Sequence, residues 1–434
     1  MKKNLYIGTF FLLLCLPVLL IPLKSNVSTA ENRILAQSPA IITENRFNLN
    51  FFEDMDRYLE DNFVFRESLI GINAYIHEKI FKVSIEPTVI VGKNDWLFAS
   101  STEDDYNGKN LLSYKQIQQI IKTLELVDEY VNNQGGKFLF TIAPNKNSIY
   151  PENMPYKSDN TITNASRIKQ EIRADMYVDL FEVLKNASET TYLARDSHWN
   201  NYGAYISYLQ ICEQLNIAYQ NFSIIDHQMI KAYSADLNGM LYPINQNLDE
   251  QIYYTFDTTY DYTTRFRSMD DILISTISDT GSDSIVVFRD SFGNALLDYF
   301  GRQFDKVTFS RAVPYTIDIA SDFDYMVLEI VERNVPNLLD NAPIMPAPIR
   351  EFTGGGNVQS PIIYTEDATE YKHVFGYFTL SSTVNNIYIE NDGILYEAFP
   401  ILENKLEIQQ SDNIIGFSAY LPSDVSNDYK IWIN

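Results

Sequence analysis

Four short stretches of this chain carry residue types that can make and break an ester. Arg289-Asp290-Ser291-Phe292-Gly293 sets a hydroxyl, Ser291, just after an apolar run at 285–288. Arg195-Asp196-Ser197-His198-Trp199 sets an imidazole two residues after a carboxylate. Pro144-Asn145-Lys146 and Glu332-Arg333-Asn334 add cations and amides. A serine hydroxyl is a poor nucleophile unless a base takes its proton. His198 suits that task, because Asp196 can hold one ring nitrogen, fix the tautomer and favour the imidazolium. Base help of this kind is worth roughly 10²–10⁴-fold in rate. The chemistry expected is acyl transfer, with Ser291 as nucleophile, His198 as base and Asp196 as orienter. Lys146, Asn145 and Arg333 are the candidates for holding an oxyanion or the substrate.

Each residue also has a plainer reading. Serine at a helix start is most often a cap. His198 can simply pack beside Trp199. Lys146 can be a cation at a sheet edge, and Arg333 can pair with Glu332. His77, His227 and His373 are expected to be structural; His227 follows Asp226, but no strand end or nucleophile lies near it. No histidine has a second histidine at i+4, so a helical zinc motif is absent. No metal and no cofactor is expected.

The elements that would position these groups alternate along the chain. Ser113-Tyr114-Lys115-Gln116 reads as a capping box. Ile117, Ile120, Ile121, Leu124, Val127 and Val131 follow as one apolar helical stripe, which ends at Gly135-Gly136. Strands are expected at 137–143, 177–180, 191–193, 285–288, 306–309 and 325–331. Helices are expected at 202–215 and from 292. This alternation predicts an α/β fold with a parallel sheet flanked by helices. Ligands of such sheets gather beyond the carboxyl ends of the strands. All four reactive stretches follow predicted strands, so they should face one crevice.

Outside this core the text changes. Residues 1–24 hold Lys2 and Lys3, then an apolar run at 5–23 long enough to span a bilayer. The lysines favour a cytoplasmic N-terminus, so the bulk of the chain would face outward from a single-pass anchor. A cleaved signal peptide and a secreted protein form the alternative, since Ser28-Thr29-Ala30 is a passable cleavage site. Residues 25–85 read as a membrane-proximal segment with two short amphipathic helices. Residues 86–348 form the expected catalytic domain. Thr353-Gly354-Gly355-Gly356-Asn357 reads as a linker, and 349–434 as a small β-sandwich. Its alternating segments lie at 386–390, 405–408, 415–420 and 430–433, with a hairpin turn at Asn391-Asp392-Gly393. Lys plus Arg is 33 and Asp plus Glu 57, a net charge of −24. Such a chain lacks the means to neutralise phosphates, so nucleic acid is excluded as a partner. Two cysteines, Cys15 in the apolar run and Cys212, offer no disulfide framework.

Asp196-Ser197-His198-Trp199-Asn200 with Gly203-Ala204, followed by Arg289-Asp290-Ser291-Phe292-Gly293, resembles the AlgX/AlgJ-like polysaccharide O-acetyltransferases and their DHHW-type bacterial relatives. Glu31-Asn32-Arg33, the stretch 61–66, the stretch 89–98 and Ala143-Pro144-Asn145-Lys146 add to the likeness, which covers roughly residues 31–335. The resemblance implies an SGNH-hydrolase-like fold, Ser291 as the acyl-accepting nucleophile, His198 as base and Asp196 as orienter. It also implies an acetyl group delivered by a separate membrane-bound acyltransferase. Ser197 stands where DHHW proteins often carry another residue.

The function expected is therefore an extracytoplasmic O-acetyltransferase moving an acetyl group through Ser291 to hydroxyls of a cell-surface or secreted polysaccharide. A carbohydrate acetyl esterase would use the same residues. A non-catalytic glycan-binding scaffold is the rival of a different class. The strong negative charge favours a neutral or cationic glycan over a polyanion.

Overall fold

Which apolar runs lie inside the molecule decides the central sheet. Its seven strands in chain order are β1 (Lys137–Ala143), β2 (Tyr177–Val178), β3 (Asp261–Tyr262), β4 (Leu273–Ile277), β5 (Ser284–Phe288), β6 (Lys306–Ser310) and β7 (Tyr325–Val331). In this computed structural model they lie in the order β3-β4-β6-β5-β7-β1-β2. The structure describes residues 6–11, 27–28, 33–43, 46–63, 66–219, 221, 227–242, 248–255, 257–279, 281–351, 355–380, 384–408 and 413–434.

β6, β5, β7, β1 and β2 run parallel. β4 pairs antiparallel with both β3 and β6, so the expected parallel sheet is in fact mixed. β4 shows why: Leu273 and Ile277 are exposed while Ile274 is buried. A strand covered on one face only is free to pair antiparallel, whereas a parallel strand needs cover on both. Such cover exists in the middle. Phe138, Phe140, Val286, Met326 and Leu328 face the apolar stripe of helix Tyr114–Asn133. Leu139, Val287, Val327 and Phe309 point the other way, toward helices Asn201–Leu215 and Leu297–Gln303. The period of two along each strand builds both cores at once.

Helix Tyr114–Asn133 starts where the capping box predicts. Ser113 accepts from the Gln116 amide, and the Gln116 side chain accepts from the Ser113 amide at 2.8 Å. It stops just before Gly135, whose φ of +86° costs a glycine little. Burial of each of its aliphatic side chains stabilises by about 1.5–3 kcal/mol.

Two expected strands are absent. Residues 191–193 do not join the sheet; they make an isolated antiparallel bridge, Tyr192 to Trp199. Their backbone groups are used by their own loop, with Asn200 N donating to Thr191 O at 2.9 Å. Residues 405–408 are not a strand either. A 3-10 turn, Asn404–Leu406, is followed by Glu407 at φ +52°. Tertiary contacts of Glu403 and Lys405 override the alternating pattern there.

The C-terminal β region has a five-stranded and a three-stranded sheet. Val374, Phe378 and Phe417 from one meet Ile387, Ile389 and Ile431 from the other in a shared core. Asp392 and Gly393 make the expected hairpin turn, with φ of +50° and +80°. This region is fastened to the long helix by Lys122 to Glu397 at 2.6 Å and Gln119 to the Pro400 carbonyl at 2.7 Å.

The helices expected before residue 85 are Phe51–Asn62 and Arg66–Ile76, the second continued by a π-helical turn, His77–Phe81. Among the described residues no helix is long and apolar enough to cross a membrane. Most of the apolar run at 5–23, Cys15 and the 29–30 cleavage junction lie outside the described residues; 6–11 are helical.

Candidate active site

β5 delivers Ser291, the candidate nucleophile. It is buried along 285–288, and its end turns sharply at Arg289-Asp290 so that Ser291 heads the 3-10 turn Phe292–Leu296. Acids hold this turn in shape. Asp290 Oδ1 accepts from Phe292 N at 2.9 Å, and Oδ2 accepts from Val331 N at 2.8 Å. Glu329, wholly buried in β7, accepts from the amides of Asp290 and Gly293. A Cβ on Gly293 would lie 2.6 Å from the Arg289 Cβ, so no larger residue fits there. Arg289 itself is buried and bonds the carbonyls of Met269 and Asp290 rather than the Asp290 carboxylate.

His198, the candidate base, comes from the loop closed by the Tyr192–Trp199 bridge. Asp196 Oδ1 accepts from the His198 backbone at 2.9 Å and lies 2.7 Å from Nδ1. His198 Nε2 lies 2.9 Å from Ser291 Oγ. Thus a carboxylate, an imidazole and a hydroxyl stand in line. The ring is packed on Phe292, centroids 4.8 Å apart, and Phe292 is in turn edged by Trp199. Burial of the ring opposes its charge, but the hydrogen bond and field of Asp196 outweigh this and hold His198 above the usual histidine range. Asp196 goes the other way: burial alone would raise it, yet its bonds to His198 and to the Asp236 amide keep it low.

The remaining sequence candidates fare differently. Lys146 does not face the crevice. Its ammonium is buried and donates to the carbonyls of Leu193 and Ala194, both at 3.1 Å, and of Asp196. It also lies over the rings of Trp96 and Phe98. Burial pulls its pKa down to about 7. With its three protons spent on the base loop, Lys146 is a positioning group, not an oxyanion donor. Asn145 is buried as well; its amide N–H donates to Glu332 at 2.9 Å and its side chain to Asp105 at 3.1 Å. Arg333 does not pair with Glu332, which is taken by Asn145 and Ser148. Its guanidinium lies 5.4 Å above the Phe292 ring, and among the described residues no hydrogen bond holds it.

Several neighbours carried no sequence signal. A cleft of about 300 Å³ opens beside Ser291 and His198. Tyr233, Tyr253, Tyr254, Tyr299 and Met269 line it. Three of these tyrosines come from an antiparallel hairpin, His227–Tyr233 with Asp249–Tyr254. The hairpin is tied to the base loop by Asp249, which accepts from Arg195 N at 2.7 Å, and by Gln251, which accepts from Asn201 N at 2.8 Å. His227 is exposed on this hairpin. Arg195 is gripped from behind by Glu78 of the π-helical turn, with nitrogen–oxygen distances of 2.9 and 3.0 Å. Asp236 is another hidden member: burial and the charge of Asp196 raise its pKa. Asp196, His198 and Asp236 lie close together, but their facing atoms are bonded to one another and to Ser197, as a hydrogen-bond network.

Residues 89–291 match the family model described as an SGNH hydrolase-like domain, acetyltransferase AlgX. No curated protein matches the chain. Among solved structures, a DHHW family protein from Eubacterium siraeum is 17% identical, with a TM-score of 0.42, over 58% of this chain and 97% of that one. PatB1 from Bacillus cereus is 18% identical, with a TM-score of 0.44, over 57% of this chain and 96% of that one. The O-acetyltransferase domain of Pseudomonas putida AlgJ is 14% identical, with a TM-score of 0.38, over 57% of this chain and 92% of that one. The resemblance drawn from the motifs is borne out by the family model.

Proposed function

With an AlgX-type SGNH hydrolase-like domain over residues 89–291 as premise, we propose that this protein is an O-acetyltransferase acting on polysaccharide hydroxyls outside the cytoplasmic membrane. The observation that carries the reading is the line Asp196–His198–Ser291, opening onto an aromatic cleft. Ser291 Oγ attacks the acetyl carbonyl of the donor while His198 Nε2 takes its proton. Asp196 steadies the imidazolium at Nδ1. The tetrahedral intermediate collapses, His198 returns the proton to the leaving group, and the acetyl group stays on Ser291 as an ester. A sugar hydroxyl then gives its proton to His198 and attacks that ester; Ser291 leaves and recovers the proton.

The oxyanion needs donors already in place. The amides of Phe292 and Gly293 are engaged by Asp290 and Glu329. That leaves the Ser291 amide and the Arg333 guanidinium for the task. Tyrosine rings suit the flat faces of sugar rings, and the described lining of the cleft holds Asp298 but no lysine or arginine, Arg333 lying outside that lining over the Phe292 ring. A neutral glycan fits this lining better than a polyanion. The apolar run at 5–23 would tether the enzyme beside a membrane-bound acyltransferase that supplies the acetyl group.

Incubating the full chain in detergent with an activated acetyl ester and a neutral glycan tests the proposal. Acetylation of the glycan and of Ser291 is expected, both abolished in Ser291→Ala. Acetate release with the glycan untouched would make the protein an esterase. Turnover that survives Ser291→Ala would overturn both readings.

A further inference from the structure

We infer that Asp236, acting through the Ser197 hydroxyl, is a second positioning carboxylate for His198. The inference rests on the triad reading above but concerns a different residue. Asp236 opens the short helix Asp236–Leu241, far from the base loop in sequence. An acid at a helix start ordinarily serves its own helix. Here Oδ1 does accept from Leu237 N, but it also accepts from Ser197 N at 2.8 Å. Oδ2 accepts the Ser197 hydroxyl and lies 3.6 Å from His198 Nδ1. Ser197 Oγ is 3.2 Å from the same nitrogen. Finally, Asp236 N donates to Asp196 Oδ2 at 2.7 Å, so the two acids close a ring of bonds around the imidazole edge.

The proton count gives this ring its direction. A serine hydroxyl has one proton to donate. Given to Asp236, it leaves only a lone pair facing Nδ1. Nδ1 must then carry the proton, whichever of Asp196 Oδ1 or Ser197 Oγ accepts it. Nε2 is left bare toward Ser291, the tautomer a base requires. The charged and titratable groups around the ring are few. Asp196 belongs to its own loop, Asp236 to the helix start and Arg333 to the segment after β7, where it opposes the charge. Lys146 and Arg195 hold the loop from behind, and the Tyr233 phenol faces the two acids from the hairpin. Among the described residues, Asp196 and Asp236 favour a proton on the ring.

Four variants of the full chain in detergent test this: Asp236→Asn, Ser197→Ala, Asp196→Asn and the double Asp196→Asn/Asp236→Asn. Imidazole-labelled protein has four histidines, and His198→Gln identifies the resonance of interest. Asp236→Asn and Ser197→Ala should each move the His198 titration to lower pH and leave the other three unmoved. Hydrolysis of an activated acetyl ester should lose about tenfold in kcat with KM unchanged, as for a weakened base. Asp196→Asn alone should cost less than the ~10⁴-fold seen where a single acid holds the ring, and the double variant should lose about tenfold more. If Asp236→Asn fails to fold, Ser197→Ala carries the same test. An unmoved His198 titration, or a double variant no slower than Asp196→Asn, overturns the inference. A wild type that turns over no ester defeats the proposed function instead, while the titration still decides the role of Asp236.

Discussion

Among the described residues two clusters join a serine, a histidine and a carboxylate, and their arrangements differ. In the first, Asp196, His198 and Ser291 stand in that order, with the ring in the middle. In the second, at the seam of the C-terminal β region, His373 Nε2 lies 2.7 Å from Ser418 Oγ, and Ser418 donates to Glu403 Oε1 at 2.6 Å. Here Glu403 meets both the hydroxyl and the same ring nitrogen, Nε2, at 3.3 Å, while Lys405 faces Nδ1 at 3.3 Å and keeps Glu366 4.0 Å from it. The serine proton is already committed to a carboxylate, so the imidazole is not its base. His373 is also clamped between aromatic rings, 4.3 Å from Tyr420 and 4.6 Å from Phe375, and Ser418 is wholly buried. By contrast, the His198 side chain keeps 24% of its surface exposed, at a cleft. Residue types do not make a triad; the order acid–ring–hydroxyl and an open side do.

The largest expected effect separates the two serines. Ser291→Ala should lower ester turnover by at least ~10³-fold and leave the melting temperature unchanged. Equal losses of turnover from Ser291→Ala and Ser418→Ala would erase the distinction. Next come the cations. Arg333 has no hydrogen-bonding partner among the described residues, whereas Lys405 is bonded to Glu366 at 2.6 Å and to His373. Arg333→Ala should cost about 10²-fold in kcat, as for one oxyanion donor, and Lys405→Ala nothing; steady-state kinetics of both variants decide it. Ser418→Ala should cost about 1–3 kcal/mol of stability by leaving the buried His373 and Glu403 short of a partner, read by denaturant unfolding, with turnover intact. The smallest effect is a shift in pH profile. His198 must be neutral to act, and Asp196 raises its pKa, so the acid limb of kcat/KM should lie above the ordinary histidine value of 6.5. Asp196→Asn should move that limb down, and Ser418→Ala should leave it in place.

Much of this site is legible in the sequence because it is local. Asp196 and His198 are two apart, and Ser291 follows a continuous apolar strand. The strand-end rule places Ser291 at the carboxyl edge of the sheet, whereas Asp196 and His198 reach that edge on a loop outside the sheet. What it misses depends on register and direction. Lys146 does follow β1, but nothing in the text tells that its ammonium turns back onto the 193–196 carbonyls. Asp236 and the tyrosine hairpin reach the site through a loop whose path no periodicity encodes. The 191–193 segment reads as a strand because Thr-Tyr-Leu favours extended backbone, yet its partners lie in its own loop. The reversed strand β4 and its edge neighbour β3 escape notice because antiparallel pairing depends on cover, not on composition.

The Glu78–Arg195 pair also bears on where this chain can be cut. A shortened protein beginning at residue 86 would remove the carboxylate that Arg195 and Tyr242 share. Stripping one partner from a buried ion pair typically costs about 3–5 kcal/mol, and here the orphaned guanidinium is next to Asp196. The helical arm before residue 85 is thus a brace for the loop that carries Asp196 and His198 rather than a disposable stalk, and shortened versions of the protein should retain it.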